Sequence, residues 1–81
     1  MLRIEVLGID RHEVRAAGRL AGPWVAELSR AVDDLPASRS IELDLTEVSF
    51  ADADGLALLR TLRRRRSIHL RCSPFVDAQL A

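Results

Sequence analysis

Leu2, Ile4 and Val6 alternate with Arg3 and Glu5 at the head of the chain, which is the period-two pattern of a strand with one apolar face. Gly8-Ile9-Asp10-Arg11 supplies turn chemistry, and a second strand runs through Val14 and Ala16 toward Gly18 and Leu20, so the two predict an antiparallel hairpin. Gly22-Pro23 marks a helix start, with proline where the amide has no helical partner. Trp24, Val25, Leu28, Ala31, Val32 and Leu35 recur at spacings of one, three and four against Glu27, Arg30, Asp33 and Asp34, an amphipathic helix that Pro36 terminates. Ile41, Leu43 and Leu45 alternate with Glu42, Asp44 and Thr46, predicting a third strand with one buried and one wetter face. Leu56, Leu59 and Leu62, joined by Leu58, then fall on one side of a second helix, with Ala57, Arg60 and Arg64 on the other. Ile68, Leu70 and Cys72 alternate with His69 and Arg71 as a fourth strand ended by Ser73-Pro74, and Phe75, Val76 and Leu80 begin a short final helix.

The element order is β-β-α-β-α-β plus a short C-terminal helix, in a single domain over residues 1–81. Ala37 to Ser40 lead back from the first helix to Ile41, a crossover long enough to make the third strand parallel to its neighbour. Because the central strands alternate instead of running uniformly apolar, the helices are expected mainly on one face of a four-stranded mixed sheet. The fold class is α/β.

Composition narrows the function. An 81-residue chain with 48% hydrophobic and 30% charged residues and a formal net charge of zero describes a soluble globular domain, not a nucleic-acid binder by bulk electrostatics. It buries only roughly 60 to 65% of its extended surface. No apolar run approaches the roughly 18 residues of a membrane span and no signal peptide is evident, so a cytoplasmic protein without membrane insertion is expected. Cys72 is the sole cysteine, which rules out an intrachain disulfide. All twelve basic residues are Arg and there is no Tyr. Without Lys there is no Walker-type phosphate lysine, Schiff-base lysine or receiver-type lysine.

Candidate chemistry is sparse. Asp52 and Asp54 stand on one short loop, where such a pair can hold a divalent cation or share a proton, with Asp44 as a conceivable third oxygen ligand. Capping of the second helix accounts for them with less, and Gly55 keeps the backbone there small and accessible. His69 and Cys72 are three apart on a strand and so point to opposite faces, and with His12 they form no metal-ligand spacing. Cys72 reads as a small buried hydrophobe. Arg63 to Arg66 oppose the negative end of the helix dipole, and lack the interleaved aromatics of a nucleic-acid surface. Trp24 belongs to the first helix's core stripe. No enzyme activity, metal or cofactor is expected.

Leu43-Asp44-Leu45-Thr46, Val48-Ser49-Phe50 and then Asp52-Ala53-Asp54-Gly55-Leu56-Ala57-Leu58-Leu59 together resemble the signature of the STAS domain of bacterial anti-sigma factor antagonists. That pattern reads D-L-S/T, a few residues, then D-S/T-x-G-L and a leucine-rich helix; its core spans roughly a quarter of the chain. The Gly55-to-Leu59 run is also similar to the STAS subunit of Mla-type phospholipid transport complexes. The resemblance implies a protein-interaction module whose loop and following helix (Asp52, Ala53, Asp54, Gly55, Leu56, Ala57 and Arg60) dock onto a protein partner. That partner would be an anti-sigma factor of the serine kinase type or, alternatively, the ATPase of a lipid ABC transporter. The antagonists carry a phosphorylatable Ser or Thr where this chain has Ala53, so the docking shape is expected without the switch; Asp54 is either a fixed negative charge beside the former phosphosite or a capping residue. STAS domains also usually continue with a further strand or helix, so a homodimer or a partner is expected to cover the last sheet edge.

Overall fold

The computed structural model describes residues 1–7, 12–35 and 40–80, with His12 described in its backbone only; the turn at 8–11 and the helix stop at Pro36 lie outside these residues. Strand β1 (Leu2–Leu7) pairs antiparallel with β2 (His12–Leu20), from Leu2 opposite Gly18 to Leu7 opposite Glu13. Helix α1 (Pro23–Asp33) crosses to β3 (Ile41–Ala51), which runs parallel to β2, and α2 (Ala53–Arg63) crosses to β4 (Ile68–Cys72), parallel to β3. Helix α3 (Pro74–Leu80) ends the described chain. The sheet is four-stranded and mixed, in the order β1-β2-β3-β4, as the two crossovers require.

One core lies between the sheet and the helices. Leu28 and Val32 of α1, Leu59 and Leu62 of α2, and Val76 and Leu80 of α3 are buried against Val14, Ala16, Leu43, Leu45 and Ile68. Removing these apolar side chains from water is what holds a sheet with one covered face together. Trp24 and Cys72 are half-buried and packed against this core. Cys72 is thus less enclosed than its apolar strand position predicts.

The opposite face of the sheet carries charge, paired across and along strands: Arg3 Nε to Glu5 Oε1 at 3.2 Å, Arg15 Nε to Asp44 Oδ2 at 3.7 Å and Arg71 Nη1 to Glu42 Oε1 at 3.4 Å. The Arg19 guanidinium stacks over the Phe50 ring at 4.6 Å on the same face, a cation–π contact. Asp44 departs from the wet exposure its alternation predicts, being only 9% exposed. Its Oδ1 accepts from the Thr46 amide at 3.0 Å and the Thr46 hydroxyl at 2.7 Å. Flanking arginine stems lie beside it on β2 and β4, as long cationic side chains do over a sheet.

β3 is also longer than its alternation indicates. Its pairing with β2 shifts register between Arg15 and Ala17 and again between Gly18 and Arg19. Each irregularity adds a residue on one strand. Leu45 and Val48 are therefore both buried although three apart, and the strand continues through Phe50 to Ala51. At its far side α3 is anchored to it. The buried Ser73 hydroxyl donates to the Val48 carbonyl at 3.2 Å and accepts from the Val76 amide at 3.2 Å, capping α3 while Pro74 occupies its first position.

Ser73→Ala strands the Val48 carbonyl and the Val76 amide at a buried site. A loss of about 1–3 kcal/mol is expected in urea unfolding; a change below about 0.5 kcal/mol, the usual range for surface substitutions, contradicts this role of the hydroxyl.

Candidate functional site

The β3–α2 corner is tighter than an acidic loop. Ala51 is still strand and Ala53 is already helix, so Asp52 alone makes the turn. Asp52, extended at φ −78° and ψ −178°, is the N-cap of α2: its Oδ1 accepts from the Gly55 amide at 2.7 Å. The other oxygen, Oδ2, accepts from the Gly22 amide at 2.9 Å. In addition, the Asp52 amide donates to the Leu20 carbonyl at 3.1 Å, and its carbonyl accepts from Leu56. One residue therefore joins the end of β2, the start of α1 and the start of α2. Of the two carboxylates that can cap this helix, Asp52 does so; Asp54 sits in the first turn, where its charge suits the positive end of the dipole.

Local sequence explains the arrangement. Gly22 adopts φ 59° and ψ −136°, a combination reserved in practice for glycine, and this turns the chain into α1 with its amide presented to Asp52. Gly55 is buried, contrary to the accessibility expected from its place at the helix start. A Cβ there would meet the Leu20 carbonyl oxygen at 2.6 Å, so glycine serves the close approach of α2 to the end of β2, and it presents nothing to a partner.

The remaining site residues divide by exposure. Ala53, Asp54, Ala57 and Arg60 are exposed, while Asp52 and Leu56 are half-buried. Ala53, Ala57 and Arg60 follow helical spacing and form one outward stripe of α2. Arg60 is engaged within the fold as well: its Nη2 donates to the Gln79 carbonyl at 3.2 Å, tying α2 to α3. The cationic run beyond it is split, because α2 ends at Arg63, Arg64 is the C-cap, and Arg65 reaches across to Asp33 at 3.3 Å.

The corner has little catalytic equipment. Asp44 lies near the other end of β3, roughly 20 Å or more from Asp52 at about 3.3 Å per residue, so it supplies no third ligand. Among the described residues no three of His, Cys, Asp and Glu gather to hold a metal ion. His69 is exposed on the charged face, and Cys72 lies on the core face of the same strand. Burial pushes the Cys72 thiol above its ordinary value, with Asp77 adding to the effect and Arg63 opposing it. A thiol so placed is a poor nucleophile at neutral pH. A concavity of about 320 Å³ lies at the far end of β3 from Asp52, lined by Val32, Ile41, Ile68 and the ion-paired Asp33 and Arg65.

Sequence reasoning missed the Gly22 amide as a partner of Asp52. Its only signal is the Gly22-Pro23 pair, which marks a helix start without saying what lies beside it. No protein-family model matches the chain, and no curated protein does. No helix among the described residues is long and apolar enough to cross a membrane.

Among the described residues, Asp52 and Asp44 are the carboxyls shifted, and both are depressed. The Gly22 and then the Gly55 amide hold Asp52 below its ordinary 3.8; the Thr46 hydroxyl and then the Thr46 amide do the same for Asp44 against an opposing effect of burial, with Arg15 and Arg71 assisting. A carboxyl depressed in the folded state stabilises above the unfolded value and loses that contribution as pH falls through the folded one. The contribution of these two carboxyls to stability is expected to be level above about pH 5 and to decline from near 3.8 downward. In acid unfolding followed by circular dichroism, Asp44→Asn and Asp52→Asn each flatten this decline, and the double variant flattens it most. An acid limb identical to wild type in all three contradicts the assignment.

Proposed function

We propose that this chain is a non-catalytic protein-interaction module of the STAS type, akin to the anti-sigma factor antagonists, that docks through the Asp52 corner and the outward stripe of α2. The observation that carries the reading is the placement of Ala53. It is exposed at the first position of α2, beside a rigidly tethered Asp52, where the resembled pattern has its acceptor hydroxyl. Phosphorylation at such a place adds a charge of about −1.5 to −2 at a docking surface. Ala53 offers no oxygen for it. The module is then constitutive, with Asp52, Ala53, Asp54, Leu56, Ala57 and Arg60 at the contact and Gly55 beneath it.

The partner in this reading is an anti-sigma factor of the serine kinase type, met in the cytoplasm. Neutral net charge argues against nucleic acid as the partner. A second reading takes its support from Gly55-Leu56-Ala57-Leu58-Leu59, the run similar to the STAS subunit of Mla-type complexes, and makes the partner the ATPase of a phospholipid ABC transporter. Both readings use the same surface, and both are non-enzymatic.

Two sets of variants test the proposal once a pull-down has supplied the partner. Ala57→Arg adds bulk and charge to the outward stripe with only a small loss of helix propensity; affinity should fall at least about tenfold, roughly 1.4 kcal/mol, without loss of fold. Ala53→Ser restores the hydroxyl at a position that tolerates it. With ATP and magnesium, the serine variant should gain one phosphate by intact mass and be released, while wild type gains none and stays bound. ATP-dependent release of wild type contradicts a constitutive module. Retention of both proteins by a nucleotide-hydrolysing partner shifts the assignment to the transporter ATPase.

A further inference from the structure

The sheet ends at β1 among the described residues, and the chemistry of that edge is unusually self-complementary. Met1 and Arg19 are opposite each other, and the Arg19 amide donates to the Met1 carbonyl at 3.1 Å. In an antiparallel ladder, pairs that exchange hydrogen bonds alternate with pairs that do not. Arg3, Glu5 and Leu7 therefore direct their amides and carbonyls to β2, and Leu2, Ile4 and Val6 direct theirs to the open edge. Side chains alternate in the same step. Arg3 and Glu5 lie on the charged face, and Leu2, Ile4 and Val6 on the helix-covered face, where Val6 remains 54% exposed.

A strand with three outward residues at positions 2, 4 and 6 can pair with its own copy in few ways. Antiparallel pairing centred on Ile4 sets Leu2 against Val6, Ile4 against Ile4 and Val6 against Leu2, and each pair exchanges two hydrogen bonds. The same register puts Arg3 of each copy opposite Glu5 of the other, on the face where Arg3 and Glu5 already pair within a chain at 3.2 Å. Signs then alternate around all four charges. Sliding the register by two residues loses one of the three pairs and sets Arg3 against Arg3 or Glu5 against Glu5; directly opposed like charges are destabilising. A slide of one residue points outward groups at inward ones and leaves no ladder.

We infer that β1 is the interface for a second copy of this chain, paired edge to edge and antiparallel about Ile4, with Arg3 and Glu5 selecting the register. The two sheets become one of eight strands. A two-fold axis perpendicular to the sheet places the helices of both copies on the same face and gives the exposed Val6 an apolar neighbour in Leu2 of the other copy. An unpaired strand edge is otherwise a template for indiscriminate pairing; the charge pattern makes this one selective. The inference is independent of the function proposed above, since it uses neither α2 nor Asp52.

Sedimentation equilibrium of the full chain at low ionic strength tests it. Wild type is expected to approach twice the 9.0 kDa of one chain as concentration rises. Arg3→Glu turns two attractive cross-strand pairs into repulsive ones and should weaken association by about tenfold or more. Arg3→Glu combined with Glu5→Arg restores the alternation between copies; because Glu5 also faces Arg15 of β2, this variant is first shown to keep the wild-type circular dichroism spectrum, and it should then return the dissociation constant to within about threefold of wild type. Val6→Pro deletes an amide that faces the open edge and not β2, which an edge strand tolerates; it should give a monomer with the wild-type circular dichroism spectrum. The inference is overturned by a wild type that stays monomeric up to about 1 mM, by a double charge reversal that associates no better than Arg3→Glu alone, or by a folded Val6→Pro that still dimerises. If Val6→Pro fails to fold, the charge-reversal pair decides alone.

Discussion

A single carboxylate divided between two amides holds the β3–α2 corner of this molecule in place. Asp52 gives one oxygen to Gly55 and the other to Gly22, so the start of α2 is fixed both to its own first turn and to the entry of α1. Without the second bond, α2 would be capped but not aligned with α1. The close passage of Gly55 over the Leu20 carbonyl depends on that alignment, and so does the one-residue connection between β3 and α2. The exposed Ala53 and Asp54 inherit a rigid setting from it.

The rest of the fold follows from covering one side of a sheet. Three helices bury the apolar face, while the other face is satisfied by ion pairs between neighbouring strands and by the Asp44–Thr46 bonds. The exposed pairs, Arg3–Glu5 and Arg71–Glu42, contribute little each, about 0–1 kcal/mol, so stability rests on the apolar face. The charged face adds opposite-sign pairs between neighbouring strands, Arg15 with Asp44 and Arg71 with Glu42. Edges matter more than usual in so small a sheet, because two of its four strands are edges.

Much of this architecture was legible in the sequence. The alternations in β1, β2 and β4, the leucine stripe of α2 and the Gly-Pro start of α1 correspond to elements in the expected order, since periodicity reports which side of an element is buried. The bulges in the β2–β3 pairing were not legible, because an extra residue shifts the faces without altering composition; Leu45 and Val48 look out of phase until both appear in the core. Asp44 was placed on its correct face, yet its burial comes from side chains on β2 and β4 that are remote in sequence. The pairing of Asp52 with Gly22 spans 30 residues and follows from the crossover, not from any local pattern. For the same reason the Gly55 position read as accessible when it is a point of contact.

Amide hydrogen exchange on wild type and Asp52→Asn tests most directly whether Asp52 governs the corner. Asparagine keeps one acceptor oxygen and remains a good N-cap, so it can serve Gly55 or Gly22 but not both. In wild type the Gly22 and Gly55 amides should both be slowed well beyond an unstructured chain; in Asp52→Asn, Gly22 should lose its protection while the core strands keep theirs. An unprotected Gly22 amide in wild type, or equal protection in both proteins, would contradict the tether.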